Sequence, residues 1–166
     1  MKTTFIGTKM AQTPRAVALW EKVLSETKFS RIIEIGSYKW GMSLLFYLFC
    51  IQRKAEFYTF DIAKFTPPRV VRTIGLTKHF KMIDVFTIEE QIGALIQKEG
   101  ISIVYCDGGD KARELQTFSL YLKKGDYIAV HDWKTEVFPE NVPIHLKEVL
   151  SKESDEEGMT RIFQYV

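Results

Sequence analysis

Short β-branched or aromatic runs alternate along this chain with longer segments whose apolar residues recur every three or four positions. That alternation predicts an α/β fold, a Rossmann-like, doubly wound and mostly parallel sheet flanked by helices. The first helix is expected at "QTPRAVALWEKVLSE", where Thr13 can cap and Pro14 suits the first helical position. "RIIEI" reads as strand one, "GMSLLFYLFCIQ" as a helix, "EFYTF" as strand two, and "KHFKMI" as strand three after the break at Pro67 and Pro68. Thr87 and Glu90 have capping-box spacing for a helix "IEEQIGALIQKEG" that ends at Gly100. "ISIVYC" is the most β-branched run and suits strand four at the sheet centre. "ARELQTFSLYLKK" is expected to be a helix stopped by Gly125, and "DYIAVHDW" strand five. Beyond Pro139 and Pro143, "IHLKEVLSKE" is expected to be helical, "ESDEEG" an exposed connection, and "MTRIFQYV" a closing strand.

A length of 166 residues is that of one domain, expected over 1–166, with one substantial core. The longest apolar run, "LLFYLFCI", is too short to span a bilayer, so it reads as a buried helix and no membrane association is expected. Cys50 and Cys106 fall inside buried elements, where a thiol acts as a small hydrophobe; with no secretory pattern at the N-terminus, this implies a reducing cytoplasmic setting without disulfides. A formal charge of +2 and the lack of a long basic run argue against nucleic acid as a partner.

Ligands of open α/β sheets bind beyond the carboxyl ends of the central strands. Chemistry-bearing residues recur there: Glu34, Gly36, Ser37 and Gly41 after strand one, Asp61 after strand two and Asp84 after strand three. Asp107 ends strand four, and His131 and Asp132 end strand five. Gly36 permits a turn that bulkier residues resist, while Gly41 and the free amides of the next helix start can face a carboxylate or phosphate. Asp61 can accept hydrogen bonds from both hydroxyls of a ribose, or cap the next segment. Asp84 and Phe86 can offer an adenine-edge contact and an apolar wall, or serve as a turn residue and a core residue. Tyr38 and Trp40 can cover a cofactor or pack over the core. There is no G-x-S-x-G elbow, Walker A motif, His-Glu-x-x-His motif or zinc-type Cys/His spacing.

Taken in order, "IGTKMAQTP", "IIEIGSYKWGMS", "YTFDI", "VYCDGGD" and "LYLKKGDYIAVHDW" resemble the successive motifs of class I S-adenosylmethionine-dependent methyltransferases. The nearer likeness is to the cephalosporin-hydroxylase-like and sugar or macrolide O-methyltransferase group. The resemblance implies that Glu34, Gly36 and Ser37 line the methionine end of the cofactor, Asp61 the ribose and Asp84 the adenine side. It also implies a divalent cation, Mg²⁺ or Mn²⁺, at Asp107, His131 and Asp132, where it would acidify and align an acceptor hydroxyl. Two positions depart from the group: His131 stands where an acid is common, favouring Mn²⁺ or a softer ion over Mg²⁺, and Asp110 stands where a histidine is usual. Asp107, Asp110 and His131 are therefore the expected catalytic residues, with Asp110 equally suited to capping a helix.

The expected activity is methyl transfer from S-adenosylmethionine to an oxygen of a small polyhydroxylated acceptor. Two alternatives stand beside it: a nicotinamide-dependent oxidoreductase, disfavoured by the missing G-x-G-x-x-G, and a catalytically silent cofactor-binding partner protein. Acceptor pockets in this fold are assembled from variable loops and sometimes from a neighbouring subunit, which leaves room for a homo-oligomer.

Overall fold

The computed structural model describes residues 3–166. The chain opens with an antiparallel pair, β1 (Thr3–Phe5) and β2 (Thr8–Met10), joined through Ile6 and Gly7, both at positive φ. Helix α1 (Pro14–Glu26) follows, with Thr13 as the expected N-cap: its hydroxyl accepts from the Ala16 N–H at 3.2 Å. Next come β3 (Arg31–Ile35), α2 (Gly41–Arg53), β4 (Glu56–Asp61), α3 (Arg69–Thr73), β5 (Phe80–Met82) and α4 (Glu89–Gln97). The remainder is β6 (Ser102–Cys106), α5 (Lys111–Ser119), β7 (Tyr127–Val130), β8 (Leu146–Val149), α6 (Ser151–Glu157) and β9 (Arg161–Tyr165).

Seven strands form one mixed sheet in the order β5-β4-β3-β6-β7-β9-β8. The first five are mutually parallel, and β9 runs antiparallel to both β7 and β8. The order reverses between β3 and β6, so their connections leave to opposite sides and open a crevice at the carboxyl ends.

Successive side chains of the central strands serve opposite faces, as a period of two requires. Ile32, Ile103 and Tyr105 join the apolar cluster under α1 and α2, while Ile33, Val104 and Ile128 join the one under α4 and α5. In the first cluster Trp20, Phe46 and Tyr105 meet edge to face, with centroids 4.8, 5.1 and 5.4 Å apart. Such pairs contribute about 0.5–1.5 kcal/mol each beyond their buried area. Both cysteines are free and buried, and among the described residues no helix is long and apolar enough to cross a membrane.

Four local expectations are corrected. Residues 146–149, expected to be helical, pair with β9, because Leu146 is buried at the sheet edge while left-handed Leu150 ends the strand. The acidic "SDEE" run lies within α6 rather than in a connection, with Arg161 drawing in Asp155 and Glu148. Thr87 and Glu90 form no capping box: Asp84 caps a 3-10 turn over Val85–Ile88, the Thr87 hydroxyl donates to the Asp84 carbonyl, and α4 starts at Glu89 without a side-chain cap. Finally, α4 and α5 stop at Gln97 and Ser119, short of Gly100 and Gly125.

Glu34 is fully buried within β3, where it accepts from the hydroxyls of Ser43 (2.5 Å) and Thr59 (2.6 Å), tying α2 and β4 to the central strand. Burial pushes its carboxyl up to about 8, against the lowering effect of the two hydroxyls. The folded state therefore holds a proton that the unfolded chain releases near its ordinary value of 4.5, so this group's contribution to stability falls as pH rises between about 4.5 and 8. Glu34→Gln removes that contribution. The stability difference between variant and wild type is expected to shift in the variant's favour by about 1 kcal/mol between pH 7 and 8. Glu114 and His131 slope in the same direction but cancel in the difference. Parallel urea-melt curves over that interval would show that Glu34 does not carry the proton.

Candidate functional site

Hydrogen bonds that continue the ladder past the strand ends set the site. Gly36 N–H donates to the Phe60 carbonyl, Asp107 N–H to Ile35, and His131 N–H to Cys106, at 2.8, 2.9 and 3.1 Å. Gly36, Asp107 and His131 are thereby held side by side where β3, β6 and β7 end.

Two cavities flank this row. The first, of about 450 Å³, is lined by Gly36, Tyr38, Asp61, Asp84, Phe86 and Asp107 among others. The second, of about 630 Å³, is lined by Gln12, Thr13, Tyr38, Asp107, Lys111, His131, Asp132 and the chain around them. Tyr38 and Asp107 belong to both, so the two spaces adjoin across them.

In the first cavity, Gly36 has φ +93°, and a Cβ there would stand 2.1 Å from the Asp107 carbonyl oxygen. Glycine is required because β3 and β6 approach each other through their backbones at this point. Asp61 accepts from the Tyr38 N–H at 2.9 Å and the Ala63 N–H at 2.8 Å, with the Ser37 hydroxyl at 3.4 Å. Its carboxylate is thus fixed at the cavity wall and retains lone pairs for a ligand. Asp84 is both a turn cap and a wall residue. Phe86 lines the same end; the Arg113 guanidinium lies 3.8 Å from its ring centroid, and the ring runs nearly parallel to Phe118.

Three residues expected around the cofactor are not in the wall of this cavity. Glu34 points into the sheet interior and acts as the brace described above. Ser37 is buried and acts through Asp61. Gly41 serves packing: a Cβ there would meet Met10 Cβ at 2.4 Å and the Lys9 carbonyl at 2.6 Å, so it lets α2 abut β2. Of the two loop aromatics, Trp40 is a core residue whose indole N–H donates to the Phe65 carbonyl, whereas Tyr38 is partly exposed between the cavities.

In the second cavity, His131 Nδ1 lies 3.3 Å from Asp107 Oδ1 and 3.2 Å from Asp132 Oδ1. Burial opposes the charged imidazole, but the hydrogen bond and charge of Asp107, with Asp132 behind it, outweigh that and raise its pKa. The other oxygen of Asp107 accepts from the Gln12 amide and, at 3.2 Å, from the Tyr105 hydroxyl. Asp132 has φ +58°, a left-handed conformation strained for a non-glycine residue. Asp110 caps α5 by accepting from the Arg113 N–H at 3.1 Å, and it lines the first cavity rather than the histidine cluster.

Asp107, His131 and Asp132 each offer a ligand atom, and these atoms lie within 4.8 Å of one another. Two carboxylate oxygens and one imidazole nitrogen fit a divalent ion, Mn²⁺ better than Mg²⁺ because nitrogen is the softer donor. The buried and unpartnered Nε2 of His131 leaves Nδ1 as the atom facing both carboxylates.

Gln12, Lys111 and Glu114 complete the site and were not singled out from sequence. Glu114 accepts from the Gly108 and Asp110 N–H groups and holds the β6–α5 turn; burial pushes it up to about 7. Lys111 contacts Asp132 and Glu136. Gln12 lies in the quoted "AQTP" stretch, but only the return of the N-terminal segment over Asp107 reveals its use.

This strand order, with a crevice at the β3/β6 reversal, defines the Rossmann-like methyltransferase fold. The chain belongs to the rhamnosyl O-methyltransferase/CmcI family, whose model matches residues 1–146. Among solved structures, CmcI with SAH is 15% identical, with a TM-score of 0.61 over 96% of this chain and 81% of that one. CmcI with Mg and SAM is 18% identical, with a TM-score of 0.58 over 78% of this chain and 57% of that one. Cofactor-bound Rv0187 from MTB is 11% identical, with a TM-score of 0.50 over 74% and 57%. The chain thus spans little more than half the length of two of these relatives, and at such identities the likeness is one of fold. No curated protein matches the chain.

Proposed function

We propose that the protein transfers a methyl group from S-adenosylmethionine, held in the first cavity, to an oxygen of a small polyhydroxylated acceptor held in the second. The observation that carries this reading is the sharing of Tyr38 and Asp107 by two adjoining cavities, one with an adenosine-type wall and the other rich in hydrogen-bonding groups. The family and the SAM- and SAH-bound relatives support the donor.

In the reaction, the acceptor oxygen forms a bond to the methyl carbon as the sulfonium–carbon bond breaks in line, leaving a thioether. The hydroxyl proton passes to the carboxylate of Asp107, which lines both cavities. Asp61 holds the ribose hydroxyls, and Asp84 with Phe86 bounds the adenine. Gly36 lets β3 and β6 close up beside the methionine end, and the 11–14 segment walls the acceptor. A divalent ion held by Asp107, His131 and Asp132 would lower the pKa of the acceptor hydroxyl when bound. Holding donor and acceptor collinear across Tyr38 supplies the proximity contribution.

Calorimetry with S-adenosylmethionine, its demethylated product and NAD, each with and without Mn²⁺, tests the donor. Both sulfur ligands are expected to bind and NAD not to; NAD binding alone would favour the oxidoreductase. Asp61→Ala is expected to weaken S-adenosylmethionine by about 1–3 kcal/mol, the scale of hydrogen bonds to a charged group. Unchanged affinity in a folded variant would remove Asp61 from the donor site.

A further inference from the structure

Lys111 opens α5 directly after the Asp110 cap, and its side chain is only 8% exposed. Its ammonium lies 3.0 Å from Asp132 Oδ2 and 2.9 Å from Glu136 Oε2. An ammonium set between two carboxylates at these distances is fully charge-paired. The acidic cluster therefore already contains a cation, at the carboxylate whose other oxygen faces His131 and Asp107.

We propose that Lys111 is the resident counter-ion of this cluster and competes with a divalent ion for Asp132, thereby setting the metal concentration the protein requires. This rests on the reading of Asp107, His131 and Asp132 as ion ligands. The turn after β7 is built to let the ammonium change partners. Left-handed Asp132 receives the N–H groups of Thr135, Glu136 and Val137 on its own carbonyl, and this tight turn brings Glu136 back beside Lys111. Lys111 thus has one partner at the strand end and one on the turn. It can yield Asp132 and keep Glu136, whose side chain is 53% exposed and can adjust. With Lys111 seated on Asp132, an incoming dication meets a carboxylate whose charge is largely answered, and it meets a like charge a few ångströms away. A lysine that merely positioned Asp132 would have the opposite effect, since its loss would loosen the ligand and weaken the metal.

The test is titration of the full chain with Mn²⁺, read as the free-ion EPR signal, for wild type, Lys111→Met, Lys111→Arg, Glu136→Gln and Asp132→Asn. Lys111→Met is expected to bind Mn²⁺ about tenfold more tightly than wild type, the scale of changes in a ligand's immediate partner. Lys111→Arg, which keeps the charge, should stay near wild type. Glu136→Gln should weaken the ion several-fold, because the ammonium then has Asp132 alone. Lys111→Met with equal or weaker Mn²⁺ affinity overturns the proposal. If Asp132→Asn loses the ion while Lys111→Met fails to tighten it, the counter-ion role falls and the metal site stands. If neither wild type nor Lys111→Met binds Mn²⁺, both fall. Should Lys111→Met fail to fold, the Glu136→Gln result decides by itself: unchanged or tighter binding overturns the proposal.

Discussion

Gly36→Val is expected to lower the melting temperature by roughly 10 °C and to abolish S-adenosylmethionine binding. The glycine has φ +93°, and its missing Cβ would stand 2.1 Å from the Asp107 carbonyl oxygen, 2.5 Å from the carbonyl carbon and 2.9 Å from the Gly108 nitrogen. These are backbone atoms of the neighbouring central strand, which cannot rotate aside. Overpacking of about 1–3 kcal/mol adds to left-handed strain of similar size, giving roughly 4 kcal/mol. For a chain of this length each kcal/mol moves the transition by about 2–4 °C. Relief requires β3 and β6 to separate where the two cavities adjoin, so binding fails even in the fraction that remains folded. The sequence suggests only a turn that bulkier residues resist; the structure adds a collision inside the protein. A variant that melts and binds like wild type would contradict this.

Asp107→Asn is expected to reduce methyl transfer by about 100-fold or more, equivalent to about 2.7 kcal/mol, while changing donor affinity only a few-fold. One oxygen of Asp107 faces His131, and the other receives the Gln12 amide and the Tyr105 hydroxyl. An amide placed there loses the charge that pairs with the imidazole and sets one N–H against another donor. The loss falls on the acceptor side and in kcat, because Asp61, Asp84 and Phe86 remain to hold the donor. Mn²⁺ binding should fall with it. Single-turnover rates together with donor calorimetry check both halves; an equal loss of donor binding would instead make Asp107 part of the donor site.

The strand-to-helix order was legible from residues because the central strands are buried on both faces and carry continuous apolar runs, while α1 announces itself with Thr13 and Pro14. Legibility failed where tertiary pairing overrode local pattern. The apolar spacing of Leu146, Val149 and Leu150 suits a helix, yet β9 offers an open edge and claims Leu146–Val149. The β1–β2 pair was missed because Ile-Gly is a weak turn signal beside Asn-Gly. Residues placed at strand ends were legible as cavity lining: Asp61, Asp84, Asp107, His131 and Asp132 each line one or both of the two cavities. Position along a strand does not reveal which way a side chain points, so Glu34 looked like a wall residue and proved to be a brace. Nor does it disclose partners from distant segments, which is how Gln12 and Lys111 escaped notice.

The Thr13 hydroxyl, besides capping α1, donates to Glu157, whose other oxygen receives the Met159 and Thr160 N–H groups. The wall of the second cavity is therefore fastened by a contact across 144 positions of sequence. The first cavity draws its named lining residues from within 35–114. Closing a longer loop carries a larger entropic cost and comes later in folding. The first cavity can thus be in place before Thr13 and Glu157 meet, and the wall of the second is fastened only once they do. The molecule is thus one cavity drawn from a central stretch of chain with a second latched onto it by distant segments, and Glu157 is the latch.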